Sequence, residues 1–162
     1  MDNQSTTHPG GPEYLEFELP NDQWREVTPP PGARFFAMRV GAFPTFAPSI
    51  LVGAAELAPG ATLVQAADLM LAESQAMGKD TRLVKRDDSA PDRLMQAISL
   101  TVILGDRDVE VGQFQTLMEL RERTGERRWA LAFTLAAAAA EIGGYLADYQ
   151  AFIGSARGVP QA

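Results

Sequence analysis

The chain of 162 residues has no cysteine. That excludes disulfides, thiolate nucleophiles, thiolate metal sites and a lipid-anchored amino-terminal Cys. It has one histidine, His8, inside a leader rich in Pro and Gly. Ser–His hydrolysis and His–metal chemistry are therefore not expected. Positive charge is scarce: 14 Lys and Arg stand against 21 Asp and Glu, a net charge of −7. Binding nucleic acid or anionic lipid needs a basic surface, so both are disfavoured. The one basic cluster, Arg121, Arg123, Arg127 and Arg128, is interrupted by Glu119, Glu122 and Glu126 and reads as a solvated hairpin end. No apolar run reaches the roughly 18 residues of a membrane span. Residues 129–140 come nearest, and Glu141 closes them. The first twelve residues carry neither the basic nor the apolar region of a signal peptide, which leads to the expectation of a cytoplasmic location. P-loop, G-x-G-x-x-G and G-x-S-x-G patterns are also absent. No catalytic residue, cofactor site or metal site is assigned, and an enzyme is not the expected reading.

What is present is apolar content of 46%, enough for a packed core, in a chain near the size of one ordinary domain. Its organising stretch is residues 93–135. In a strand, successive side chains point to opposite faces. Leu94, Gln96, Ile98, Leu100, Val102 and Leu104 share one parity, with Met95, Ala97, Ser99, Thr101 and Ile103 on the other. Phe114, Thr116, Met118 and Leu120 alternate with Gln113, Gln115, Glu119 and Arg121, where Leu117 is the exception; Trp129, Leu131, Phe133 and Leu135 continue the pattern. This predicts three long antiparallel strands at 93–104, 108–122 and 127–135, each with one core face and one solvated face. The breaks at 105–107 and 123–126 carry turn residues. Strands this long should bend, and Gly112 is the expected bulge.

The rest follows in order. Residues 1–12 read as a disordered leader. Short strands are expected at 14–19, 24–27, 34–40 and 50–57, separated by turn residues and by the stiff Pro29-Pro30-Pro31. The loop 41–49 carries Phe43 and Phe46 between prolines. Thr62 with Gln65 forms a capping box for a helix that Gly78 ends. A strand follows at 82–87. A last helix is expected to begin in the alanine run 136–140 and to reach Ser155, because alanine is the best helix former. Residues 158–162 read as a tail. The fold class is α+β: an antiparallel sheet with a long C-terminal meander packed by two helices.

The anchors Phe17, Leu19, Pro20 and Trp24, the strand entry Pro48-Ser49-Ile50, and a final helix ending Phe152-Ile153-x-Ser155 carry a resemblance. With this element order over residues 14–157, the chain resembles the actinobacterial LpqN/LpqT family and its wider PsbP/Mog-like superfamily. The resemblance implies an α/β/α sandwich spanning residues 13–157, in a group whose members are mostly binding or assembly factors. It offers no catalytic motif to transfer. The chain departs from the LpqN type in lacking a signal peptide and lipobox Cys, and in having Ala156 where an aromatic often follows the terminal Ser.

Two acidic groups, Asp87-Asp88 with Asp92 and Asp106-x-Asp108 with Glu110, have the composition of acid–base or hard-cation sites. Both lie at turns, where Asp serves the backbone. Trp24, Tyr14, Arg39 and Glu56 could line a cavity, with core or rim packing as the plainer role. The expected function is a non-catalytic protein-binding or assembly module with Phe43 and Phe46 as candidate contacts, since exposed aromatics anchor interfaces. The alternatives are a small-ligand carrier or enzyme with a pocket between sheet and helix, and a homo-oligomer built on the exposed meander edge or its Leu117-bearing face.

Overall fold

Strict alternation over the second half of the chain builds the sheet. The computed structural model describes residues 5–8, 14–121 and 127–159. Three long strands run antiparallel: β7 (Arg93–Leu104), β8 (Arg107–Arg121) and β9 (Arg128–Ala138). Gly105, at φ +66, makes the β7–β8 turn, a backbone region that costs glycine little. The shorter strands are β3 (Trp24–Glu26), β4 (Ala33–Arg39), β5 (Ser49–Leu57) and β6 (Lys79–Ala90). Together they form a seven-stranded sheet in the order β3-β4-β5-β9-β8-β7-β6. β9 therefore lies between β5 and β8, and joins the early hairpins to the late meander.

The sheet has a cover on each face. Helix α1 (Leu63–Met77) begins at Thr62, whose side chain accepts from the Gln65 amide while the Gln65 side chain accepts from the Thr62 amide. Leu63 and Ala67 pack on Leu94, Leu117 and Ala130. On the other face lies α2 (Leu146–Ser155) with a second, three-stranded sheet, β1 (Ser5–His8), β2 (Tyr14–Glu18) and β10 (Arg157–Val159), in the order β1-β2-β10. Phe17 of β2 and Phe152 of α2 stack at 5.5 Å between ring centres and meet Phe35 and Phe133 of the large sheet. With Ile50, Val52, Leu131 and Leu135 they form the main core.

Several expectations are corrected. Ser5–His8 pairs as a strand with β2 where a disordered leader is expected, and the rest of residues 1–12 lies outside the described residues. The start of the expected tail belongs to β10, and 160–162 lie outside the described residues. The alanine run does not open a helix. Ala136 and Ala137 continue β9 opposite Gln113 and Gly112, and α2 begins only at Leu146, after a 3₁₀ turn at Ile142–Tyr145. Helix propensity is a weak prior; here the buried lane between β5 and β8 accepts small side chains and overrides it.

Gly112 makes no bulge: the register runs unbroken from Arg93↔Met118 to Leu104↔Arg107. Its small size instead admits Ile142, whose Cδ1 and Cγ2 sit 3.2 and 3.3 Å from where a Cβ would lie. The irregularities fall in β4 and in β6, whose register shifts three times.

The polar face of β8 is not solvated either. Gln96, Gln113 and Gln115 are buried under α1. Gln96 Nε2 donates to Gln115 Oε1 (2.6 Å) and to the Ala67 carbonyl (3.2 Å). Gln115 Nε2 and Ser74 Oγ both donate to Gln113 Oε1, and Arg86 Nε donates to Gln96 Oε1. A buried polar group is costly only when unpaired, so a mutually bonded row tolerates the helix above it.

Gly78 ends α1 in extended backbone, not the left-handed form. A Cβ there would lie 2.7 Å from the Thr101 carbonyl oxygen. Gly78→Ala is expected to cost about 1–3 kcal/mol, read as a lower denaturation midpoint in urea. Gly112→Ala, which meets only a movable side chain, should cost less.

Candidate functional site

The ends of α2 are fixed by side chains that the chain order keeps far apart. Asp148, in its first turn, accepts from Trp24 Nε1 of β3 (2.9 Å), from Arg39 Nη1 of β4 (3.0 Å) and from Asn21 Nδ2 (3.2 Å). An acidic residue also suits the positive end of a helix. The Arg39 guanidinium lies 5.7 Å from the Trp24 ring and 5.3 Å from the Tyr145 ring, within cation–π range. At the other end, Ser155 Oγ accepts from the Glu18 amide (3.0 Å) and reaches the Phe152 carbonyl. Midway, Tyr149 lies against the sheet, its hydroxyl 3.0 Å from Thr116 Oγ1 and 2.9 Å from the Phe133 carbonyl. Burial pushes its phenol well above the ordinary value.

Beside α2 no described element covers the sheet. A ten-residue helix is only about 15 Å long, and with β2 it covers β4, β5 and β9. The neighbouring floor of β6, β7 and β8 is left as a cleft of about 280 Å³. Met95, Ala97 and Phe114 form its floor, and Leu146, Tyr149 and Ile153 its wall. Lys85, Asp87 and Arg93 stand at its margin. Asp87 accepts from the Ser89 hydroxyl (2.7 Å) and amide (3.1 Å), which hold its carboxyl below the usual value.

The sequence-predicted residues divide among these places. Trp24 and Arg39 do meet, around Asp148. Glu56 is elsewhere, in a two-bond pair with Arg127 (2.8 and 3.0 Å) that keeps its carboxyl below its ordinary value. The side chain of Tyr14 lies outside the described residues. Asp108 pairs with Lys79 at 2.7 Å, and Glu110 accepts from Ser99. Among the described residues no three His, Asp or Glu side chains gather where one metal ion could be held. Of the basic cluster, Arg127 stands 5.0 Å over Trp129, Arg128 binds Glu119 and the Ala61 carbonyl, and Arg121 faces Glu119 at 3.8 Å. Arg123 lies outside the described residues.

Phe43 and Phe46 sit on the loop between β4 and β5, both half-buried. Phe46 packs against a third cluster made by Ile98, Leu100, Val109, Val111 and Ala136. The base of the loop is tied by the Arg39 amide to the Pro48 carbonyl at 3.0 Å. Sequence reasoning missed Asp148, whose only signal was an acidic residue near the start of the last apolar helix; it raised a pocket between sheet and helix but named none of the residues that line this cleft.

These layers define the protein as a PsbP/Mog-like α+β fold: an antiparallel sheet between α1 on one side and α2 on the other. Crystal structures of LpqN of Mycobacterium tuberculosis, involved in cell envelope biogenesis, and of the Ran-binding protein Mog1p of Saccharomyces cerevisiae are similar to it. LpqN superposes with a TM-score of 0.62 at 13% identity, covering 99% of this chain and 93% of LpqN. Mog1p gives 0.60 at 10%, covering 99% and 97%. The solution structure of cyanobacterial PsbP from Synechocystis gives 0.57 at 11%, covering 98% and 95%. No protein-family model matches the chain, and no curated protein does. Among the described residues no helix is long and apolar enough to cross a membrane.

Asp148→Ala would leave the Trp24 indole N–H and the half-buried Arg39 unpartnered. The expected loss is about 1–3 kcal/mol, seen in thermal or urea unfolding. Asp148→Asn, which keeps an acceptor, should lose less.

Proposed function

We propose that the protein is a non-catalytic binding or assembly module that grips a protein partner through the loop carrying Phe43 and Phe46. The supporting observation is the way the loop is held. Two half-buried rings stand on a base tied to the sheet, with exposed Val40 beside them. Aromatic side chains pre-positioned in this way lose little freedom on binding. One solved neighbour is of this kind: Mog1p is a Ran-binding protein.

A second reading, a carrier of a small ligand between sheet and helix, is favoured by the cleft beside α2. Its apolar floor and few polar groups match the usual make-up of ligand sites.

The test of the first reading is capture by cross-linking and mass spectrometry in a lysate of the native cells, with wild type and two variants. Phe43→Ala should leave stability within about 0.5 kcal/mol and lose the captured partner. Phe46→Ala should lose the partner and also about 1–2 kcal/mol of stability, since its ring covers part of the third cluster. Undiminished capture by both variants would sink the loop as the contact.

A further inference from the structure

We propose that the cleft beside α2 binds an amphipathic anion, with an apolar stem on the sheet floor and a carboxylate-type head at Lys85 and Arg93. The inference rests on the carrier reading and adds the ligand's chemical class.

The floor and wall supply the stem site. Met95 is 42% exposed in mid-strand, where the same strand's other face is buried under α1. Ala97 and Phe114 continue this surface on β7 and β8, and Leu146 and Ile153 close it from α2. The buried polar group of the wall is already satisfied: the Tyr149 hydroxyl bonds Thr116 and the Phe133 carbonyl. The other, Gln150, is exposed.

The margin supplies the head site. Arg39, Lys79, Arg86, Arg128 and Arg157 are each held by a carboxylate. Lys85 and Arg93, in a chain of net charge −7, form no ion pair with any described residue. Arg82, opposite Ser99, lies on the same sheet face as Lys85, opposite Ala97. The one carboxylate among the described lining residues, Asp87, accepts two hydrogen bonds from Ser89 and keeps its negative charge, which also attracts Lys85. Cations outnumber carboxylates there, and an anion that binds them makes charge-assisted hydrogen bonds. At about 280 Å³ the cleft is near the lower limit of ligand pockets, so the ligand is small.

The experiment titrates the protein, labelled at the methionine methyl groups, with octanoate, 1-octanol and octyltrimethylammonium, following the Met95 methyl signal by NMR. Octanoate is expected to shift it saturably, octanol to bind more weakly, and the cation not to bind. The double variant K85Q/R93Q changes only exposed side chains; it should keep the wild-type spectrum elsewhere and weaken octanoate by about tenfold. Equal binding of octanoate and octanol, unaffected by the variant, would overturn the anionic head while leaving the carrier reading in place. No saturable shift with any of the three would overturn both.

Discussion

Everything else in the fold depends on the insertion of β9 between β5 and β8. Nine pairs, Ser49↔Ala136 to Leu57↔Arg128, join β9 to a strand from the first half of the chain, and eleven, Val111↔Ala138 to Arg121↔Arg128, join it to its neighbour in the meander. Without that lane the early hairpins and the late meander would be separate sheets, each with two open edges. β9 also contributes to the packing on both faces. Leu131, Phe133 and Leu135 build the α2-side core, while Ala130 and Ala136 face the α1 side.

The second constraint is a mismatch of areas. Seven strands spaced about 4.8 Å apart are wider than one short helix on either face. The covers are therefore offset: α1 lies over the meander, and α2 with the small sheet lies over β4, β5 and β9. The offset explains two features with no other common cause. Under α1, the polar parity of β8 becomes a buried, mutually bonded glutamine row. On the opposite face of the same strands Met95 stays 42% exposed among the described residues, and the cleft remains. At the outer edge, β6 carries charged residues and three register shifts, features that discourage pairing with another strand.

The fold was largely legible because its signals are local. The meander showed in period-two alternation, α1 in its capping box, and the element order in the turn residues. What was not legible depends on neighbours distant in the chain. Alanine has no side-chain requirement of its own, so Ala136 and Ala137 take the conformation that Gln113, Gly112 and Ser49 dictate. Gly112 looked like a bulge because the contact that needs its smallness, Ile142, lies 30 residues on. Gln113 and Gln115 looked solvated because their partners Ser74 and Gln96 lie on other elements. The site was less legible than the fold. Trp24 and Arg39 were singled out together, but Asp148, which unites them, was not. The cleft is an absence of cover, and no residue pattern records it.

The most direct test is amide hydrogen exchange of β9 by NMR, residue by residue, with the accompanying carbon shifts. If β9 is locked between two neighbours, its amides from Trp129 to Ala138 should be among the slowest in the protein, exchanging only through global opening, with strand-type shifts through Ala138. Rapid exchange across this segment, or helical shifts beginning at Ala136, would contradict the architecture.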